Sequence, residues 1–260
     1  MFSKFENLQN YLKDLEKQGI CLAFSGGIDS ILLLYLCKDL NILAITINSN
    51  LQTEEEINFT KQICSLLSVR QVILDIDIFQ NPVILSNPKD RCYHCKKMMF
   101  EKIINTADKN GCNIIIDGTN FDDLKVYRPG RKALNELGVL SPFAKFEITK
   151  DEIRKYAQNL GITYYDKPST PCLATRFPYG TNLTYEKLQM VENGEKILKQ
   201  FGFECCRLRL HDNIARIEIL PELFQNFIDK KSEITSALKN IGLKYITLDL
   251  EGFRSGSMDL

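Results

Sequence analysis

Three patterns follow one another without a break near the start of the chain, and together they constrain the fold more than any other feature. Residues 19–24 are an apolar run typical of a buried strand, residues 25–30 read Ser-Gly-Gly-Ile-Asp-Ser, and residues 29–40 carry leucines that suit a helix. Glycines let the backbone turn tightly, and a helix start offers free N–H groups and a partial positive charge. This order predicts a phosphate-binding loop; the alternative is a glycine turn that only joins strand to helix.

The polar side chains of this loop extend the prediction. The hydroxyls of Ser25 and Ser30 can donate to phosphate oxygens, and Asp29 can either cap the helix or help to hold a metal ion bound to pyrophosphate. The Walker A sequence G-x-x-x-x-G-K-[ST] is absent, so a Walker-type nucleotide-binding loop is not indicated.

Strand and helix patterns alternate through the first 165 residues. Predicted strands cover 19–24, 42–47, 72–76 and 113–116, and predicted helices cover 29–40, 53–68, 95–109 and 151–160. Thr53 followed by Glu56 predicts a capping box. The alternation predicts an α/β domain at 1–165, with a parallel sheet covered by helices on both faces.

The alternation of strand and helix patterns ends after residue 165. Residues 166–184 contain Pro168, Pro171, Pro178 and Gly180, which predicts a functional loop or linker. Beyond it the patterns indicate helix 185–201, strand 204–210, a turn at 211–213, strand 215–220, helix 221–240 and strand 244–250. The chain therefore ends in a smaller α+β domain at 185–260.

Charge and hydropathy exclude several classes of partner. Lys plus Arg and Asp plus Glu both number 33, so the chain carries no overall basic field for nucleic acid. No apolar run approaches the roughly 18 residues of a membrane span, and residues 1–18 mix Lys, Glu and Asp, unlike a signal peptide. These features predict a cytoplasmic protein with neither a nucleic-acid nor a membrane partner.

The nine cysteines divide into two groups. An odd number in a chain of this length argues against a secreted disulfide framework. Cysteines within apolar or helical patterns are expected to be small buried hydrophobes, and two neighbours in a strand point to opposite faces. The first group contains Cys21, Cys37, Cys64, Cys112, Cys205 and Cys206.

Cys92, Cys95 and Cys172 form the second group. Cys92 and Cys95 make a C-x-x-C just before a predicted helix, a spacing that lets two thiolates chelate one metal or hold one edge of an iron–sulfur cluster. A redox dithiol, or two cysteines without a ligand role, are the alternatives. Cys172 follows two prolines, and Arg176 four residues later could stabilise a thiolate or bind phosphate.

Segments along nearly the whole chain resemble the LarE family of PP-loop ATP pyrophosphatases, sulfur transferases that help to build the nickel-pincer nucleotide of lactate racemase. Residues 25–30 resemble the PP-loop itself, and Ile116 begins the run Ile-Asp-Gly-Thr-Asn-Phe-Asp-Asp. Each match is short, but their shared order makes the resemblance specific. The other matching segments are 88–96, 127–130, 167–176, 207–209, 215–218 and 251–257.

The resemblance implies a reaction. ATP, with Mg²⁺, adenylates a carboxylate of pyridinium-3,5-biscarboxylic acid mononucleotide, and sulfur then displaces AMP to leave a thiocarboxylate. In one version a cysteine matching Cys172 gives up its own sulfur; in the other, three cysteines hold a [4Fe-4S] cluster whose open iron carries sulfide. Cys92, Cys95 and Cys172 imply the cluster version. The resemblance also implies a sulfide donor and a homo-oligomer.

Site residues follow from the same resemblance. Arg207 and Arg209 share one face of a predicted strand, where they could clamp a phosphate; a solvated strand face is the alternative. The tail around Arg254 could fold over a ligand or be an unstructured terminus. Arg216 is a further candidate cation, and Glu195 and Glu218 match acidic metal positions of the family. The resulting assignments are Ser25, Gly26, Gly27, Asp29, Ser30 and Asp123 for the nucleotide, Arg176, Arg207, Arg209 and Arg254 for the substrate, Cys92, Cys95 and Cys172 for the cluster, and Cys172 for catalysis.

Two other functions remain open from the residues alone. A PP-loop enzyme could thiolate a transfer-RNA base, but the zero net charge and small second domain count against it. The second alternative is a non-catalytic nucleotide or redox sensor. A protein that releases no pyrophosphate from ATP with any substrate would favour this alternative.

Overall fold

The computed structural model describes residues 2–126, 128–166 and 171–254. The predicted segments around Tyr127, Lys167 to Thr170 and Ser255 to Ser257 therefore lie outside the described residues. The helices are α1 (Phe2–Glu16), α2 (Ile28–Cys37), α3 (Glu54–Leu66), α4 (Pro82–Leu85), α5 (Arg91–Lys109), α6 (Gly130–Glu136), α7 (Pro142–Lys145), α8 (Lys150–Asn159), α9 (Tyr185–Gln200), α10 (Phe224–Asp229) and α11 (Lys231–Asn240). The strands are β1 (Ile20–Ala23), β2 (Ile42–Ser49), β3 (Arg70–Ile76), β4 (Ile114–Ile116), β5 (Cys206–His211), β6 (Ile214–Ile219) and β7 (Tyr245–Leu248).

These elements form two compact units. The first unit comprises residues 1–77 and 90–170, and the second comprises residues 78–89 and 171–260. The predicted first domain included 78–89, and the predicted linker included 171–184, so the observed units divide the chain differently. No helix among the described residues is long and apolar enough to cross a membrane.

The first unit is built on a parallel sheet with strand order β3-β2-β1-β4. Ile20 and Leu22 of β1 pack in one apolar cluster, together with residues of α1, α2, α3 and α8. Cys21, between them, packs in a second cluster with residues of α5 and α6. Successive side chains of a strand point to opposite faces, so the predicted α/β fold, with helices on both faces, is confirmed.

Local signals explain how several helices begin. The predicted capping box is present, because Thr53 accepts from the Glu56 amide and the Glu56 carboxylate accepts from the Thr53 amide. Thr149 and Glu152 form a second box at α8, which was not predicted. Helix α1 was also not predicted; it buries Phe5, a residue of its apolar face.

The second unit carries a three-stranded sheet of order β5-β6-β7. Strands β5 and β6 are antiparallel and turn at Asp212, which adopts φ 52°, while β6 and β7 are parallel. The prediction of one helix over 221–240 is wrong. A 3₁₀ turn at Pro221–Leu223 precedes α10, and Lys230 leaves the helical conformation between α10 and α11. At this interruption between α10 and α11, the Lys230 ammonium donates a hydrogen bond to the Phe201 carbonyl at the end of α9.

Residues 78–89 join the second unit through Asn87. Its side-chain amide donates to the Pro178 carbonyl at 2.9 Å, and its own carbonyl accepts from the Gly180 amide at 2.8 Å. Leu183 likewise donates to the Leu85 carbonyl. Asn87 is fully buried, with φ 51°, a conformation that asparagine tolerates better than most residues.

Candidate active site

The loop at residues 25–30 connects β1 to α2 at the carboxyl end of the sheet. Gly26 has φ 73°, and Gly27 is the N-cap of α2 without any side-chain cap. The buried Ser30 hydroxyl donates to the Gly27 carbonyl and lies 3.2 Å from the Ser25 hydroxyl. The first amides of a helix have no partner within the helix, so this uncapped start can receive a phosphate.

Neighbouring elements hold the loop in place. The Thr46 hydroxyl of β2 donates to the Phe24 carbonyl at 2.9 Å, and the Gln71 amide donates to Thr46 in turn. A Cβ at Gly26 would lie 2.9 Å from the side chain of Thr60 on α3. These contacts hold the loop backbone close to β2 and α3.

Asp29 is paired with a cation and does not cap α2. The Lys150 ammonium lies 2.7 and 2.8 Å from its two carboxylate oxygens, and the Asn120 amide donates to it at 3.3 Å. Burial raises the pKa of Asp29, although Lys150 and Asn120 favour the ionised form. Of the two roles predicted for Asp29, capping is excluded.

The segment after β4 borders this loop. A Cβ at Gly118 would lie 3.0 Å from the Ser30 amide, so only glycine allows the two backbones to approach this closely. The side-chain oxygen of Asn120 accepts hydrogen bonds from the backbone amides of Asp122 and Asp123. Asp123 itself accepts from the Asn120 amide and pairs with Arg128 at 2.9 Å. Asp123, which was predicted to bind the nucleotide, therefore has its carboxylate held in place close to Asp29.

The C-x-x-C lies at the start of α5, with Cys92 in the first turn and Cys95 just after it, because this helix begins at Arg91 and not at residue 95 as predicted. Cys92 is exposed and Cys95 half-buried; residues three apart lie on the same helix face. The buried Arg91 guanidinium is 3.9 Å from the Cys92 sulfur. This arrangement can supply two corners of an iron–sulfur cluster.

Cys172 belongs to the second unit, where it precedes the 3₁₀ turn Leu173–Arg176 and is half-buried. Its carbonyl accepts from both the amide and the hydroxyl of Thr175. Within residues 2–126, 128–166 and 171–254, no group of three or more His, Cys, Asp or Glu side chains is placed to hold a metal ion.

Two of the predicted substrate arginines pair with glutamates, of which Glu195 is half-buried and Glu218 fully buried. Arg176 donates to both carboxylate oxygens of Glu195, at 2.8 and 3.2 Å. Arg209 does the same with Glu218, at 3.0 and 3.2 Å, and Arg216 adds a third bond to that carboxylate. Glu195 and Glu218, matched to metal positions of the family, thus serve here as arginine partners.

Arg207 has a different environment. It is 4% exposed, stacks on the Phe253 ring at 4.3 Å and donates to the Arg254 carbonyl. Burial lowers its pKa, and the neighbouring Arg209 and Arg176 charges lower it further. The alternative of a solvated strand face is excluded, because Arg207 and Arg209 are both buried. An anion near Arg207 would relieve this concentration of positive charge.

Comparison with known proteins places this geometry in a family. The PP-loop domain family matches residues 2–125. A pyridinium-3,5-bisthiocarboxylic acid mononucleotide synthase of Lactiplantibacillus plantarum is 36% identical over 252 residues, covering 95% of this chain and 91% of that protein. The chain belongs to the LarE family. The resemblance inferred from the motifs is therefore confirmed.

Two uncharacterized relatives also match both units. An uncharacterized protein of Synechocystis sp. is 38% identical, covering 99% of this chain and 97% of its own length. An uncharacterized protein of Methanocaldococcus jannaschii is 34% identical, covering 97% and 98% respectively. The similarity thus extends beyond the PP-loop domain into the α+β unit.

Three polar residues near the PP-loop were missed by sequence reasoning. Lys150 and Asn120 contact Asp29, while Asp117 is buried and accepts from the Thr119 and Ser141 hydroxyls. A signal was available for Lys150, because Thr149 followed by Glu152 is a capping-box pattern that would have placed this lysine in the first turn, where it opposes the helix dipole. Of the six cysteines predicted to be buried, Cys21, Cys37, Cys64 and Cys112 are buried, but Cys205 and Cys206 are only half-buried, so the prediction is wrong for that pair.

Proposed function

We propose that this chain is an ATP-dependent sulfur transferase that converts a carboxylate of pyridinium-3,5-biscarboxylic acid mononucleotide to a thiocarboxylate, in the synthesis of the nickel-pincer nucleotide of lactate racemase. The observation that carries the proposal is the 36% identity to the named synthase across 95% of this chain. The uncapped loop that precedes α2 supports the ATP-dependent half of the reaction.

The first step is adenylation. The substrate carboxylate attacks the α-phosphorus of ATP, a new P–O bond forms, and pyrophosphate leaves with the electron pair of the broken bond. The first amides of α2 and the Ser25 and Ser30 hydroxyls would bind phosphate oxygens. Asp29 is the carboxylate that would hold Mg²⁺, which neutralises phosphate charge when bound.

Substrate binding is assigned to the arginines of the second unit. The mononucleotide carries a phosphate and two carboxylates, and guanidinium groups match both kinds of anion. Arg207 is the strongest candidate, because it contacts an aromatic ring and a carbonyl and lies among other arginine charges that an anion would offset. Arg254 adjoins it, and Arg176 and Arg209, held by glutamates, would orient the surrounding backbone or share the anion.

The second step is sulfur transfer. A sulfur nucleophile attacks the acyl carbon of the adenylate, the C–O bond breaks, and AMP leaves with its electron pair. We propose that Cys92, Cys95 and Cys172 hold a [4Fe-4S] cluster, which supplies this sulfur when bound. The pairing of two thiols in one helical turn supports the first two ligands, and family membership supports the third.

The same proposal includes a cytoplasmic location, a homo-oligomeric state, an external sulfide donor and no nucleic-acid partner. The equal numbers of acidic and basic residues support the last of these.

The decisive experiment is mass spectrometry of the small molecules after anaerobic incubation with ATP, Mg²⁺, sulfide and the biscarboxylate mononucleotide. Thiocarboxylate in excess of enzyme is expected. One product per chain, with dehydroalanine at Cys172, would support the family reaction with the cysteine as sulfur source. AMP without any thiolated nucleotide would refute the substrate and redirect the search to RNA or another acid.

Iron and acid-labile sulfide analysis tests the cluster ligands. Anaerobically reconstituted Cys172→Ala and Cys92→Ala should hold a weakened cluster or none. Cys205→Ala is the matched control, because that thiol is also partly exposed in the second unit but has no assigned ligand role. Full iron content in Cys172→Ala would remove Cys172 from the ligand set.

A further inference from the structure

Lys150 occupies a helix position that local energetics disfavour. It is the first residue of α8, directly after the Thr149 cap, and Asp151 and Glu152 follow it. Acidic residues suit the first turn because they offset the helix dipole, whereas a lysine there is repelled by it. Helix stability therefore does not account for a lysine at this position.

The contacts of Lys150 point toward the PP-loop. Its ammonium lies 2.7 and 2.8 Å from the two oxygens of Asp29, in the first turn of α2. Its backbone amide donates to Asp122 at 2.9 Å, which fixes the start of α8 near the nucleotide loop. The side chain remains 32% exposed. The cation is thus anchored at its base, with its charged end at the start of the phosphate-binding helix.

We propose that Lys150 is the phosphate-binding cation of the PP-loop, held by Asp29 in the free chain and transferred to the pyrophosphate portion of ATP when the nucleotide binds. The inference rests on the proposed adenylation. A lysine ammonium carries three rotatable donors on a flexible stem, so it can exchange a carboxylate for a phosphate oxygen without backbone movement. Asp29 then becomes available to Mg²⁺.

This transfer would favour the first chemical step. Pyrophosphate leaves with the electron pair of the broken bond, and a cation placed where this charge develops stabilises the transition state. No proton needs to move, because the ammonium acts through charge and hydrogen bonds. Before ATP binds, the Asp29 carboxylate neutralises the partly buried Lys150 ammonium.

Binding of inorganic pyrophosphate and of AMP, by calorimetry with EDTA present, tests the assignment without the mononucleotide or sulfur. Lys150→Met should weaken pyrophosphate binding by roughly tenfold to a hundredfold, the range expected for loss of a hydrogen bond to a charged group. AMP binding should change less than about twofold, because the proposed contact is with the leaving group. Lys155→Met is the matched control, since Lys155 lies on the same helix with an exposed Asp151 partner.

The double variant Asp29→Asn/Lys150→Met separates direct phosphate contact from simple neutralisation of Asp29. If Lys150 binds phosphate itself, the double variant binds pyrophosphate as weakly as Lys150→Met, and Lys150→Arg recovers part of the affinity. Recovery to the wild-type value in the double variant would overturn the proposal, as would equal losses for AMP and pyrophosphate in Lys150→Met. A failure of the proposed sulfur transfer would instead appear as normal phosphate binding with no thiolated product.

Discussion

Replacing the buried Glu218 by Gln should destabilise the second unit more than the same replacement of an exposed glutamate. The carboxylate is fully buried and accepts from Arg209 at 3.0 and 3.2 Å and from Arg216 at 3.2 Å. Glutamine has one oxygen instead of two and directs an NH₂ group toward a guanidinium. The variant would therefore leave at least one buried cation without an anionic partner.

The size of the effect follows from that environment. Removing one partner of a buried ion pair costs about 3–5 kcal/mol, and the single acceptor that glutamine retains places the expected loss near 3 kcal/mol. Glu251→Gln is the matched control, because Glu251 also pairs with an arginine, Arg254, but is 73% exposed. An exposed pair contributes about 0–1 kcal/mol.

Hydrogen exchange at the β5 and β6 amides is a suitable assay, because a protein with two compact units need not unfold in one step. A loss near 3 kcal/mol corresponds to about a hundredfold rise in the opening equilibrium of these strands. Glu251→Gln should leave their exchange within about fivefold of the wild type. If the two variants exchange alike, the reasoning about the buried carboxylate is wrong.

Three further predictions concern the first unit. Gly26→Ala should weaken ATP binding about tenfold by calorimetry, because φ is 73° and a Cβ would meet a threonine side chain at 2.9 Å; Gly180→Ala, with φ 80° and open space, should leave ATP affinity unchanged. Thr53→Ala should lower the urea midpoint through a loss of about 1 kcal/mol, since it removes a capping box, and an unchanged midpoint would contradict this. In iron-free protein at pH 8, iodoacetamide should modify the exposed Cys92 well before Cys37, whose pKa burial raises to about 12; equal modification rates by mass spectrometry would show that Cys37 is accessible.

Features determined by neighbouring residues were predictable from the sequence. The loop at residues 25–30 and the Thr53–Glu56 box each depend on a few consecutive residues, so their chemistry is visible without knowledge of the fold. Strand β2 was also clear, because a strand buried on both faces is apolar almost throughout. The parallel sheet followed from the alternation of such segments with helices.

Features that depend on distant residues were not predictable. Asp29 and Lys150 are separated by 121 positions, and only the folded sheet and its flanking helices bring them together. The shared face of Arg207 and Arg209 could be read from strand periodicity, but whether solvent or glutamates faced it could not. The helix break at Lys230 likewise accompanies a hydrogen bond from its ammonium to the Phe201 carbonyl at the end of α9, which is distant in the sequence.

The discontinuous second unit has a consequence for synthesis on the ribosome. Residues 78–89 emerge long before residues 171 onward, with which they form a unit, and Ile78 and Ile84 are fully buried in the complete chain. Until the last third is translated, this apolar segment has no place to pack and is a target for chaperones or aggregation. An isolated nucleotide-binding domain should therefore express better when residues 78–89 are replaced by a short polar linker.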